Sequence, residues 1–296
     1  MKWAGGFCYN PHMVIDFHTH IFSPRIKSNR DRYVEADPSF ALLYSNKKAK
    51  LATAEDLIAS MDRDGVDISV VLNIGWTTHE LCVETNDYIM ESIARYPDRL
   101  IGFGAVQPQS VDATGAEIER CARGGIRGIG ELRPDMQMID LGDDEVMGPF
   151  VQSMLEHKLI LLTHSSEPVG HQYPGKGSVT PEVLYYMITS YPDLTIVCAH
   201  WGGGLPFYAL MPEVGKSMER VFFDSAASSY LYRPQIYREV GELVGAEHIL
   251  FGSDYPLIPQ SRFLKEIGSL ELSEGDKSLI LGGNACRLLG MDNKRA

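Results

Sequence analysis

The sequence lacks the marks of several protein classes. Its five cysteines (Cys8, Cys82, Cys121, Cys198 and Cys286) are odd in number, scattered, and include no Cys-x-x-Cys pair. Such a set reads as reduced thiols in a cytoplasmic protein rather than as a disulfide framework. No run of about 18 apolar residues occurs, so no membrane span is expected. No Gly-x-Ser-x-Gly elbow is present, which disfavours a serine hydrolase. Basic residues are scarce, with 27 Lys and Arg against 39 Asp and Glu and a net charge of −12. That balance argues against a nucleic-acid backbone as partner and leaves a small molecule as the expected one. Residues 1–12 hold no apolar core of a signal peptide. They read as a loose lead-in upstream of the first strand, and one reading sets them upstream of the natural start.

The 296 residues, 44% hydrophobic and 22% charged, have the composition of an ordinary globular enzyme. Eight short apolar runs recur, at 13–17, 68–74, 100–106, 126–132, 159–163, 194–199, 221–224 and 248–252. Amphipathic helical patterns lie between them, at 54–64, 79–96, 111–123, 144–157, 180–191, 206–218 and 234–244, and a closing one covers 273–289. Strands alternating with helices indicate parallel β/α units. Runs that are nearly all apolar indicate strands buried on both faces. A doubly wound sheet would carry a glycine-rich phosphate loop after its first strand; this chain carries His18-Thr19-His20 there. The reading is therefore an α/β fold, a single (β/α)8 TIM barrel over residues 13–296. One long insertion, at about 21–53, reads either as a solvated surface loop or as a lid over the barrel mouth.

Polar residues collect at one end of these strands. Asp16-Phe17-His18-Thr19-His20 ends the first, and alternation places Asp16, His18 and His20 on one face. Glu131 ends the fourth strand, His164 follows the fifth, His200 the sixth and Asp254 the eighth. The carboxyl ends of barrel strands are where catalytic groups gather. Four histidines and two carboxylates around one mouth make a nitrogen and oxygen donor set for zinc, manganese or iron. A lone strand-end histidine is more often a core residue, and Glu131 has Arg133 as an alternative partner. Six such placements at one end outweigh those readings, because the cluster would be costly to bury uncompensated.

The pattern resembles the amidohydrolase superfamily, and within it the amidohydrolase-related branch that includes aminocarboxymuconate-semialdehyde decarboxylase, γ-resorcylate decarboxylase and pyrone-dicarboxylate lactonase. The matching pieces are Val14 to His20, Met61 to Val66, Thr163 to Pro168, Ala199 to Gly203, Leu250 to Pro256 and Gly283-Asn284-Ala285. The resemblance implies that His18 and His20 bind one ion and that Asp254 touches it and acts as general base. In single-metal members His164 completes the ligand set, while His200 orients water or polarises substrate. The chain departs from two-metal members, which often carry a carboxylated lysine on strand four. Its Gly128-Ile129-Gly130-Glu131 is similar instead to the Gly-Glu element of TatD-type deoxyribonucleases. In that arrangement Glu131 bridges two ions, with His164 and His200 on the second.

The expected activity is hydrolysis of a small organic amide, ester or lactone by metal-activated water. The expected cofactor is one or two divalent ions, Zn2+ first, with Mn2+ or Fe2+ as alternatives. Decarboxylation of a small carboxylic acid by the same parts is the alternative, and a TatD-like nuclease a third reading. Arg133, His171, Tyr173, Lys176 and Trp201 are the candidate substrate contacts, with Trp76 as a further apolar wall. The chain is expected to form a homo-oligomer, a dimer.

Overall fold

The computed structural model describes residues 13–291, so the expected lead-in of residues 1–12 lies outside the described residues. Eight parallel strands follow in chain order: β1 (Ile15–His20), β2 (Ile68–Leu72), β3 (Leu100–Gly104), β4 (Gly128–Leu132), β5 (Ile160–Thr163), β6 (Ile196–Cys198), β7 (Val221–Asp224) and β8 (Ile249–Leu250). The ring closes between the β8 region and β1. Phe17 N–H donates to Phe251 O (2.7 Å), Asp254 N–H to His18 O (2.9 Å) and His20 N–H to Tyr255 O (2.7 Å). This is the TIM barrel that the strand–helix alternation predicts. Its interior is filled by Ile15, Phe17, Val70, Phe103, Leu162 and Val197, all buried. Burial on both faces explains why the strands read as unbroken apolar runs. No helix among the described residues is long and apolar enough to cross a membrane.

The insertion after β1 is neither a bare loop nor unstructured. It folds into α1 (Pro24–Ser28), α2 (Arg30–Ala36) and α3 (Pro38–Tyr44). Ser23 and Asp37 cap α1 and α3 by accepting from Ile26 N (3.2 Å) and Phe40 N (2.8 Å). Pro24 and Pro38 occupy the first helical positions, where a missing N–H costs nothing. Phe22, Ile26, Tyr33, Phe40 and Tyr44 bury themselves with Ile74 and Trp76, pinning the segment beside the barrel mouth. Trp76, expected as a wall of the site, stacks on Phe40 inside this cluster (5.3 Å between centroids).

Later helices follow their patterns, with two differences. The stretch expected as one helix at 206–218 divides into a 3-10 segment, Leu205–Leu210, and a helix, Pro212–Ser217. Pro212 cannot donate into the preceding turn and its ring would collide with it. Gln260–Ser269 is a helix that the apolar pattern did not reveal.

A buried polar joint ties the outer helices to the end of β3. Asn86 of α4 (His79–Arg95) donates to Ala105 O (2.8 Å) and to Glu117 Oε1 (2.6 Å) of α5 (Val111–Arg123). Burial pushes the Glu117 carboxyl up, but the hydrogen bonds from Arg120 and Asn86 outweigh it and hold the group below its ordinary value. A carboxyl depressed in the folded state stabilises above its unfolded pKa, about 4.3, and that stability is lost as pH falls through the folded value. Glu117→Gln should therefore cost about 1 kcal/mol at pH 7, given the partly exposed Arg120. In urea titrations the gap from wild type should shrink below about pH 4.

Candidate metal centre

The site is built by interruptions of regular strand. In β1, Asp16 pairs with Ser69 but Thr19 pairs with Val71, so β1 holds one extra residue against β2. This bulge shifts the alternation. Ile15 and Phe17 enter the barrel core, and His18 and His20 turn into the mouth. Their Nε2 atoms lie 3.1 Å apart. Asp16 does not share that face. Its carboxylate accepts from Ser253 N (2.9 Å), Ser253 Oγ (2.5 Å) and Gln260 Nε2 (2.8 Å), which corrects the face assigned from strict alternation.

A second offset lies in β4, where Ile129 pairs with Leu161 but Leu132 with Thr163. Gly130 makes it possible, since a Cβ there would sit 2.5 Å from Leu162 O. The offset brings Glu131 to the mouth. After β6 the backbone of His200 (φ 54) and Trp201 (φ 60) turns left-handed and continues so through Gly202, Gly203 and Gly204. Three successive glycines accept this conformation without the penalty of a Cβ. The turn directs His200 Nε2 inward while its Nδ1 donates to Ala226 O (3.0 Å).

The expected ligands converge. His20 Nε2 is 3.3 Å from Asp254 Oδ1, and His18 Nε2 is 4.0 Å from it. Glu131 spans the centre: Oε2 is 3.8 Å from His18 Nε2 and 3.7 Å from His20 Nε2, while Oε1 is 2.8 Å from His164 Nδ1 and 3.3 Å from His200 Nε2. Ligand atoms of His18, His20 and Asp254, and likewise of His18, Glu131 and His200, lie within 4.8 Å of one another. His164 belongs to neither group; its Nε2 is occupied by Ser166 Oγ at 3.2 Å.

The electrostatics follow from the crowding. Burial pushes His18 and His200 down, but the carboxylates around them win, carrying His18 to about 10 through Asp224 and His200 to about 9 through Glu131. Burial raises Asp254, and the histidines at His20, His18 and His200 reverse this to about 2. Glu131 is likewise held well below the usual carboxylate range. Burial and the Arg133 charge lower His164.

The donor set fits a divalent cation. Ala226 O can only accept, so His200 carries a hydrogen on Nδ1 and turns Nε2 toward Glu131 Oε1 at 3.3 Å. That contact needs positive charge, supplied by a second proton on the ring, as its raised pKa shows, or by a cation that takes that proton's place. Three or four nitrogen and oxygen donors with open space beside them match a site that keeps a position for substrate.

That space is a cavity of about 450 Å³. His20, Glu131, His164, His200 and Asp254 form its floor, and Leu43, Tyr44, Tyr230, Leu231, Pro256 and Leu257 its apolar walls. Leu43, Tyr44, Ala49 and Lys50 come from the insertion after β1, so that segment walls the mouth. Among the expected substrate contacts, Arg133, His171 and Tyr173 line the cavity. Arg133 is held by Asp135 (Nε to Oδ1, 3.3 Å) and Gly175 O (2.8 Å). The Tyr173 hydroxyl donates to Glu167 (2.9 Å). Lys176 and Trp201 are not brought to the cavity. The Lys176 ammonium is turned back onto the carbonyls of Val169 (2.7 Å) and His171 (3.3 Å). Trp201 is fully buried against Tyr237, its Nε1 donating to Ser228 Oγ (2.8 Å).

Asp224, at the end of β7, is part of the site and was missed. It is fully buried and 2.8 Å from His18 Nδ1. The signal was present: an apolar run ending in a carboxylate at the same strand end as the other site residues. Tyr44 and Tyr230 left no comparable signal, because they reach the mouth through tertiary packing.

Comparison with known proteins agrees with this architecture. The amidohydrolase family profile matches residues 15–291. The 2-amino-3-carboxymuconate-6-semialdehyde decarboxylase of Dictyostelium discoideum is 24% identical over 95% of this chain and 92% of its own. The L-fucono-1,5-lactonase of Burkholderia ambifaria is 25% identical over 80% of this chain and 85% of its own. A 5-carboxyvanillate decarboxylase structure from Novosphingobium aromaticivorans, complexed with manganese and 4-hydroxy-3-methoxy-5-nitrobenzoic acid, superposes with a TM-score of 0.76 at 20% identity, covering 94% of this chain and 96% of that one. The profile runs from the first strand past the last and takes in every residue of the cluster, so this chain belongs to the amidohydrolase family of enzymes.

Proposed function

We propose that this enzyme is a metal-dependent decarboxylase of a small aromatic or conjugated carboxylic acid. The observation that carries this reading is the cavity: about 450 Å³, floored by histidines and carboxylates, walled by Tyr44 and Tyr230, with a guanidinium at its side. That volume suits a single substituted ring. The predominance of decarboxylases among the relatives favours carbon–carbon cleavage over the hydrolysis expected from the sequence. The lactonase among them keeps hydrolysis as the competing outcome.

His18, His20 and Asp254 would hold the ion, with Glu131 between them and His200. A bound divalent ion supplies positive charge that orients and polarises the substrate's oxygen atoms. Asp254 lies on the cavity floor and is the most exposed of the cluster carboxylates. It takes a proton from substrate or solvent and delivers it to the carbon bearing the carboxylate. A carbon–hydrogen bond forms from the π electrons, the carbon–carbon bond breaks, its electron pair returns to the conjugated system, and CO2 leaves. The apolar walls keep water from competing for the proton.

The two faces of Glu131 make a second ion the natural extension of the site. Metal analysis should give two ions per wild-type chain and about one in Glu131→Gln; one ion in both would remove Glu131 as a bridge. For substrate binding, Arg133→Met should raise KM for an acidic substrate about 10–100-fold, the value of a charge-assisted bond, with a smaller change in kcat. Unchanged KM would place the substrate carboxylate elsewhere. Manganese and zinc are compared directly by reconstituting the metal-free protein with each.

A further inference from the structure

We infer that Asp224 is the positioning residue of this centre, one carboxylate that sets the tautomer of His18 and the backbone of His200 together. The inference rests on the metal-binding reading above and assigns a role to a residue outside the ligand set. Each Asp224 oxygen has its own task. Oδ2 meets His18 Nδ1 at 2.8 Å. Oδ1 accepts from His200 N–H (3.0 Å) and from Ala226 N–H (3.0 Å).

The first contact fixes a proton. A carboxylate beside Nδ1 keeps the hydrogen there and leaves the Nε2 lone pair aimed into the cluster, the form a metal ligand needs. His20 has no equivalent: its buried Nδ1 has no hydrogen-bond partner among the described residues. Of the two strand-one histidines, only His18 is held from behind by a carboxylate. The segment just after β8 leaves room for this contact. A Cβ on Gly252 would stand 2.9 Å from His18 Cβ and 3.4 Å from Asp224 Cβ.

The second pair of contacts fixes a fold of backbone. His200 is a non-glycine residue in left-handed conformation (φ 54, ψ 46), which it does not hold unaided. The bond from its N–H to Asp224 secures it. The bond from Ala226 N–H places Ala226 O, which in turn accepts from His200 Nδ1 at 3.0 Å. Both rings thus present Nε2 to the centre because of one side chain at the end of β7.

Asp224→Asn separates this role from bulk. Its amide oxygen can still accept from the His200 and Ala226 N–H groups, while its NH2 faces His18 and donates. Nδ1 then becomes the acceptor, and the hydrogen moves to Nε2, where it blocks coordination. Zn2+ affinity is measured by chelator competition on the full chain, with circular dichroism as the check of fold. A 10–100-fold weaker affinity in a folded Asp224→Asn variant is expected; equal affinity overturns the inference. Should the variant not fold, 15N-histidine NMR of the zinc-loaded wild type decides. A His18 signal protonated at Nδ1 supports the role, and one protonated at Nε2 overturns it. Failure of the wild type itself to bind Zn2+ or Mn2+ would instead sink the metal-binding reading, a separate and recognisable result.

Discussion

Asp254→Asn, assayed at a metal concentration that saturates the variant, is expected to lower kcat by about 10²–10⁴-fold while the protein stays folded. Asparagine tolerates the left-handed backbone at this position (φ 63) and keeps the side chain's shape and one oxygen donor, so saturating metal separates the loss of proton transfer from weakened metal binding. Burial raises the Asp254 carboxyl, yet His20, His18 and His200 carry it down to about 2. The wild-type product formed in D2O should carry one deuterium at the vacated carbon. Near-normal turnover in Asp254→Asn would move the proton to His200, whose Nε2 shares the floor of the cavity.

Removing metal should have an effect of similar size. Dialysis against a strong chelator should bring activity to background, and Mn2+ or Zn2+ should restore it. Stability should follow, because an ion that binds only the folded chain stabilises it by about 4 kcal/mol at a thousandfold excess over Kd. For a chain of this size that is a loss on the order of 10 °C in Tm on chelation. The direction rests on the cluster itself. His18 and His200 sit beside Asp224, Glu131 and Asp254 in a buried space, and without a cation only protons offset the crowded carboxylates. Activity and Tm indifferent to chelation would contradict the assignment of His18, His20 and Asp254 as ligands.

What could be read from the residues depended on how local the physics was. The barrel was legible because each strand is buried on both faces, and a run such as residues 68–72 shows this without its partners. The ligands were legible because a charged or imidazole side chain at the end of an apolar run stands out. Local register was not. Strict alternation put Asp16 beside His18, but one extra residue against β2 turned it toward Ser253 and Gln260. A bulge depends on what the neighbouring strand requires, which no window of sequence contains. The position of the insertion at the mouth was one of its two expected readings, but its helices were hidden for another reason. Its prolines look like loop punctuation, yet Pro24 and Pro38 follow capping residues and open helices. Lys176 and Trp201 lie close in sequence to site residues, but the first satisfies loop carbonyls and the second the core. Asp224 obeyed the rule that found the others and needed only its consistent application.

Cleavage of a carbon–carbon bond is the activity proposed for this site. Metal-reconstituted enzyme incubated with ortho-hydroxybenzoic and conjugated acids, in parallel with small lactones and esters, tests it with CO2 and acid release read together. The expected result is CO2 in a one-to-one ratio with decarboxylated product, dependent on metal and on Asp254, and little hydrolysis of the lactones. Lactone opening at high rate without CO2 from any acid would contradict it.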